Sequence, residues 1–146
     1  MTSRIVVGVD GSGTSRLAFR WAAQEAVLRH AELDVVFVWN PPENHLVDLG
    51  DLPPQQELEA AARQTVEETM QDEGLEGAPD LVVNPVVTQG SAAHVLLEVA
   101  EGADLLVVGS RGLGGVRGML LGSVSMHCVT HAECPVTVVP APPAET

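Results

Sequence analysis

From Gly109 to Ser125 the chain reads Gly-Ser-Arg-Gly-Leu-Gly-Gly-Val-Arg-Gly-Met-Leu-Leu-Gly-Ser-Val-Ser. Gly109, Gly112, Gly114, Gly115, Gly118 and Gly122 fall within fourteen residues, more than a plain connection needs. The apolar run Leu105-Leu-Val-Val108 leads into this stretch, and a helix-like segment, Ser123 to Ala132, leaves it. A strand, a glycine-rich loop and a helix start together bind anions: glycines admit a phosphate close to the backbone, and the free N–H groups and dipole of the first helical turn favour negative charge. A flexible linker is the plainer reading, but the flanking strand and helix favour phosphate. The loop is not a Walker A motif, since no Gly-Lys-Ser/Thr occurs and the chain has no lysine at all. Nor is it a dinucleotide fingerprint, because it comes late and its second gap is nine residues long.

Other chemistry is thinner. His127 and His131 stand four apart on one helix, with Cys128 and Cys134 nearby, which prompts a metal check. Cys128 points about 100° away from His127 on a helix, and Cys134 lies beyond the helix end, so the four do not converge and no metal site is expected. His94 and His45 stand alone and suggest nothing. Hydrolysis of a bound nucleotide would need a positioned water, a base and a charge stabiliser. Asp10 and Arg111 could serve, but no dedicated set stands out, and no nucleophile elbow is present.

The elements that must position these residues follow from hydrophobic pattern. Ile5-Val-Val-Gly-Val9 is a continuous apolar run, as in a strand buried on both faces. Asp10 to Ser15 is a turn, with Ser12 as the expected N-cap. A helix is expected from Ser15 to Ala31, with Leu17, Trp21, Ala22 and Leu28 inward. Leu33 to Trp39 is a second strand, ended by Pro41-Pro42. Asn40 to Pro54 reads as a surface loop, and Gln55 to Glu73 as a helix with Leu58, Ala62, Val66 and Met70 on one face, closed by Gly74 and Gly77. Leu81 to Val87 is a third strand, placed at a sheet edge by Pro85, which lacks an N–H. Ser91 caps a helix to about Gly102. Asp104 to Val108 is a fourth strand, Pro135 to Val139 a fifth, and residues 141–146 a disordered tail after one domain over residues 1–140. This alternation predicts an α/β fold with right-handed crossovers and a doubly wound parallel sheet.

Gly109, two residues, Gly112, nine residues and Gly122-Ser123 resemble the nucleotide-binding signature of universal stress proteins of the ATP-binding type. Ile5-Val-Val-Gly-Val-Asp-Gly-Ser12 and Glu133-Cys-Pro-Val-Thr-Val-Val139 resemble that family's first and last strands. The resemblance covers essentially the whole chain. It implies an adenine nucleotide alpha hydrolase-like domain, a five-stranded parallel sheet in the order 3-2-1-4-5 flanked by helices. Ligands then bind beyond the carboxyl ends of strands 1 and 4, where the winding reverses. It also implies that ATP, with Mg²⁺, is held by Gly8, Val9, Asp10, Val38, Val108, Gly109, Ser110, Arg111, Gly112, Gly122, Ser123, Val124 and Ser125. Within that set, Gly109, Gly112, Gly122 and Ser123 line phosphates and ribose, and Val124 and Ser125 add first-turn donors. Val38 meets adenine through its backbone, and Val9 and Val108 form an apolar floor. Asp10 accepts from a sugar hydroxyl or holds a Mg²⁺-bound water, unless it only caps the following helix. A homodimer through Pro135 to Val139 is the family's usual assembly.

Composition narrows the partners. With 146 residues, 45% of them apolar and 18% charged, the chain suffices for one core. Net charge is −13, from 20 acidic side chains against seven arginines, which disfavours nucleic acid and anionic membranes. A nucleotide must therefore rely on local backbone donors, Arg111 or Arg117, and Mg²⁺. No run reaches the ~18 apolar residues of a membrane span. No leader is visible at Met1 and two cysteines suggest no disulfide framework, so a cytoplasmic location is expected. The expected function is a nucleotide-dependent sensor or regulator in stress response, with a protein partner the sequence does not name. The alternatives are a slow ATPase or nucleotidyl-transfer enzyme, and a pure interaction module with an unused pocket.

Overall fold

A computed structural model describes residues 2–10, 13–39, 54–72, 74–75, 80–111 and 121–141. Nine elements alternate along the chain: β1 (Arg4–Val9), α1 (Gly13–Arg29), β2 (Glu32–Trp39), α2 (Gln55–Asp72), β3 (Val83–Gln89), α3 (Ala92–Val99), β4 (Leu105–Gly109), α4 (Ser123–His131) and β5 (Val136–Val139). The sheet has the order β3-β2-β1-β4-β5 with every pair parallel, as expected.

The apolar strand runs do bury both faces. Ile5, Val7, Leu33, Val35, Leu105 and Val107 pack under α1 and α2, while Val6, Val36, Leu106 and Val108 pack under α3 and α4. Fully burying each such side chain is worth about 1.5–3 kcal/mol. At the amino end of the sheet one cation ties the layers together. Arg4 Nη1 lies 3.1 Å from Asp34 Oδ2 and donates to the Val99 carbonyl at 2.8 Å, while its Nη2 donates to the Glu101 carbonyl at 2.8 Å.

Several expectations shift. The buried face of α1 is Ala18, Phe19, Ala22, Ala23 and Ala26, whereas Leu28 is 76% exposed. Small side chains let this helix lie close on the sheet, so size does not mark its inner face. A Cβ on Gly109 would sit 2.8 Å from Thr14 Cγ2 and 3.0 Å from the Thr14 carbonyl oxygen. The helix ends at Arg29, not Ala31, because His30 takes φ 55° and the Ala31 N–H returns to the Ala26 carbonyl at 2.9 Å. Strand β3 runs two residues later than Leu81 to Val87, since β2 extends to Trp39 and pairs it with Gln89. Pro85 does sit in an edge strand, opposite Val35. Helix α3 stops at Val99, followed by Gly102 at φ 77°. Ser91 occupies its N-cap position but makes no side-chain capping bond. Helix α4 stops one residue before Ala132. The expected assignments at Ser12, Asn40 to Pro53, Glu73, Gly77 and residues 142–146 fall outside the described residues.

Candidate nucleotide site

In a parallel α/β sheet every helix that follows a strand begins at the sheet's carboxyl edge. α1, α3 and α4 therefore all open there, around the point where the chain winds from β1 to one side and from β4 to the other. β1 and β4 are neighbours, with Val7 paired to Val107. Asp10 and Ser110 each lie three residues beyond that pair, at the exits of adjacent strands. The topology thus brings together two sequence features that are about a hundred residues apart.

The glycine stretch is tied shut at its base. The Gly122 N–H donates to the Ser110 carbonyl at 2.6 Å. Ser125 Oγ lies 3.1 Å from both the Ser110 and the Gly122 carbonyl oxygens and is 2% exposed. Ser110 is anchored in turn to the end of β5: its N–H donates to the Val139 carbonyl at 2.8 Å, and its Oγ accepts from the Ala141 N–H at 3.1 Å. The hydroxyls of Ser110 and Ser125 are thus engaged in building the loop's foundation. Nothing in their sequence context distinguishes such a clamp from a pair of ligand contacts.

α4 starts on this foundation. Its N-cap is Gly122, at φ −73° and ψ 171°, which offers no side-chain capping bond to the first turn. Uncapped first-turn N–H groups and the positive end of the dipole are the donors an anion needs. Ser123 is exposed and Val124 half-buried at this end. Between the starts of α3 and α4 lies an opening of about 430 Å³, lined by Ser91, Ala92, Ala93, His94, Ser123, Val124 and His127. That volume falls within the roughly 300–1,000 Å³ of small-molecule sites. His94 is not isolated, as its sequence context suggested: it shares this opening with His127. The signal that could have found it is topological, since α3 and α4 must both start at the carboxyl edge.

The remaining candidates divide by sheet face. Gly8, Val38 and Val108 lie on the α3/α4 face. A Cβ on Gly8 would come within 2.9 Å of Leu96 Cδ1, so this glycine admits α3. Val9 joins the opposite cluster under α1 and α2. Val9 and Val108 therefore do not form one floor with their side chains. Asp10 is exposed, and its N–H donates to Ser15 Oγ at 3.3 Å. α1 begins at Gly13, three residues beyond Asp10. Arg111 is half-buried immediately after Ser110. Gly112 and Arg117 fall outside the described residues.

Among the described residues no group of three or more His, Cys, Asp or Glu could hold a metal ion. The His127 and His131 rings stack at 4.4 Å, tilted by 48°. Cys128 is fully buried, and burial, with a smaller contribution from Cys134, pushes its thiol up to about 11. Burial also raises the Cys134 thiol above its ordinary value. Neither thiol is primed as a nucleophile. Among the described residues no helix is long and apolar enough to cross a membrane.

Comparison with known proteins places this geometry. The family model described as "Universal stress protein family" matches residues 1–140. A universal stress protein of Mycolicibacterium smegmatis is 39% identical over 139 residues, covering 92% of this chain and 45% of that protein. The chain thus spans about half the length of the curated relatives it matches. Among solved structures, the universal stress protein UspA from Lactobacillus plantarum aligns with a TM-score of 0.75 at 26% identity, covering 94% of this chain and 97% of that one. A universal stress protein in complex with cAMP aligns with a TM-score of 0.64 at 31% identity, covering 94% and 95%.

Proposed function

Because the chain belongs to the universal stress protein family, we propose that it binds an adenine nucleotide, ATP with Mg²⁺, between β1, α3 and α4, and acts as a nucleotide-dependent regulator in stress response. The observation that carries the reading is the base of the glycine stretch. The Gly122–Ser110 bond and the Ser125 clamp fix the start of an uncapped α4 beside a 430 Å³ opening. The cAMP complex of a 31%-identical relative adds support for a nucleotide ligand.

The residues present suit such a ligand. First-turn N–H groups of Ser123 and Val124 suit phosphate, and the half-buried Val38 suits a base ring. The exposed Asp10 carboxylate suits a ribose hydroxyl or a water of Mg²⁺, the cation that screens phosphate charge when bound. β5 is a sheet edge, and pairing it with a second copy through Val136–Val139 would give a cytoplasmic homodimer. Light scattering that returns a monomer contradicts the dimer. Mass spectrometry of small molecules released on denaturing freshly purified protein tests the nucleotide. An adenine nucleotide at near-stoichiometric amount is expected, and protein that neither carries one nor takes one up on dialysis against ATP contradicts the reading.

A further inference from the structure

An acidic chain that binds a polyphosphate poses an electrostatic problem. The net charge is −13 and there is no lysine to reach a terminal phosphate. Backbone donors hold a phosphate locally, but the outer end of a nucleotide also needs side chains that donate hydrogen bonds or carry positive charge. The opening between α3 and α4 supplies two. His94 comes from α3 and His127 from α4, and both line the same 430 Å³ space as Ser123 and Val124. Its other lining residues, Ser91, Ala92 and Ala93, carry no charge.

We propose that His94 and His127 form the wall that receives the outer phosphates of a bound nucleotide, so that the site selects nucleoside di- and triphosphates over monophosphates. This rests on the nucleotide reading above and names the ligand class within it. A neutral imidazole still offers one N–H donor, and an imidazolium offers two with charge. Among the described residues, Glu98 and His131 contact the pair. Glu98 Oε1 is 3.4 Å from His94 Nε2, with both side chains well exposed, and His131 stacks on His127 one turn along α4. Neither Glu98 nor His131 lines the opening. The described lining holds no carboxylate, and Glu98 reaches His94 from outside it, so an outer phosphate displaces Glu98 from that imidazole.

The test is a calorimetric titration of the wild-type chain and the His94→Gln/His127→Gln double variant with ATP, ADP and AMP in turn. The wild type is expected to bind ATP at least about tenfold more tightly than AMP. The double variant is expected to lose about tenfold for ATP and less than twofold for AMP. His127→Arg, which supplies a permanent cation, is expected to recover ATP affinity in the His94→Gln background. Equal loss for ATP and AMP, or no loss for either, overturns the wall while leaving the nucleotide site in place. Absence of binding by all three nucleotides to the wild type removes the nucleotide reading and the wall with it. His94 is largely exposed, so glutamine there meets no packing constraint; unchanged melting of each variant checks that the fold is intact.

Discussion

Two glycines of one motif do different work, and a single methyl group separates them. Gly109 is where the backbone of β4 meets the start of α1, and a Cβ there would lie 3.0 Å from Thr14 backbone atoms that cannot swing aside. Gly109→Ala is expected to cost about 1–3 kcal/mol of folding stability, as overpacking does, read as a lower urea midpoint. Gly8→Ala meets only the flexible end of Leu96 and should cost less. Gly122 has φ −73°, which any residue adopts, so Gly122→Ala meets no backbone strain; as an N-cap change it should cost no more than about 1 kcal/mol and act mainly on the ligand. Both Gly109 and Gly122 stand out in the sequence, yet their spacing does not say which one serves packing. Cys128 offers a second residue-level test. Its folded thiol, at about 11, lies above the unfolded value near 9, so the folded state holds its proton longer. That contribution is complete below about pH 9 and is lost as pH rises toward 11. The chain has neither lysine nor tyrosine to titrate in that window. Stability should fall by about 1–3 kcal/mol between pH 8.5 and 11, and the fall should shrink in Cys128→Ala. A flat profile contradicts the buried thiol.

At the scale of elements, legibility followed burial. β1, β2, β4 and β5 were readable to within a residue, β1 and β4 because strands buried on both faces are continuous apolar runs. β3 was displaced by two residues because an edge strand ends in polar Thr88 and Gln89, which pattern alone assigns to a loop. The inner face of α1 was misjudged because a close helix–sheet contact selects alanine, whereas pattern reading favours Leu28. The connection from β4 to α4 reads as an anion loop in the sequence, but its hydrogen-bonded base does not show there, since Ser110 and Ser125 look like ligand contacts. Ser125→Ala removes the hydroxyl between the Ser110 and Gly122 carbonyls. About 1 kcal/mol of stability should be lost, together with faster amide exchange at Gly122 and Ser123. Exchange at those amides unchanged from wild type would show that the backbone bond alone holds the loop base.

Across the whole molecule, strand order explains why residues from opposite ends of the chain meet. β1 and β4 become neighbours at the winding reversal, and α3 and α4 then open over the same carboxyl edge. That placement puts Asp10 and Gly109 at the exits of adjacent strands, as the sequence reading expects, and it also brings in His94, which no motif marks. A site built largely of backbone donors binds ground and transition states about equally, which tightens binding without raising rate. ATP turnover is therefore expected well below the ~10 s⁻¹ of ordinary enzymes, and turnover near that value, abolished in Gly122→Ala, favours the enzyme alternative. The central claim is that an adenine nucleotide sits on the start of α4. Calorimetric titration of the chain with Mg²⁺-ATP, beside Gly122→Ala, tests it most directly. The account predicts saturable one-site binding, weakened about tenfold or more in the variant because the added methyl group holds the phosphate off the first-turn N–H groups, with the fold intact by circular dichroism. Absence of binding by the wild type, or equal affinity in the two proteins, contradicts it.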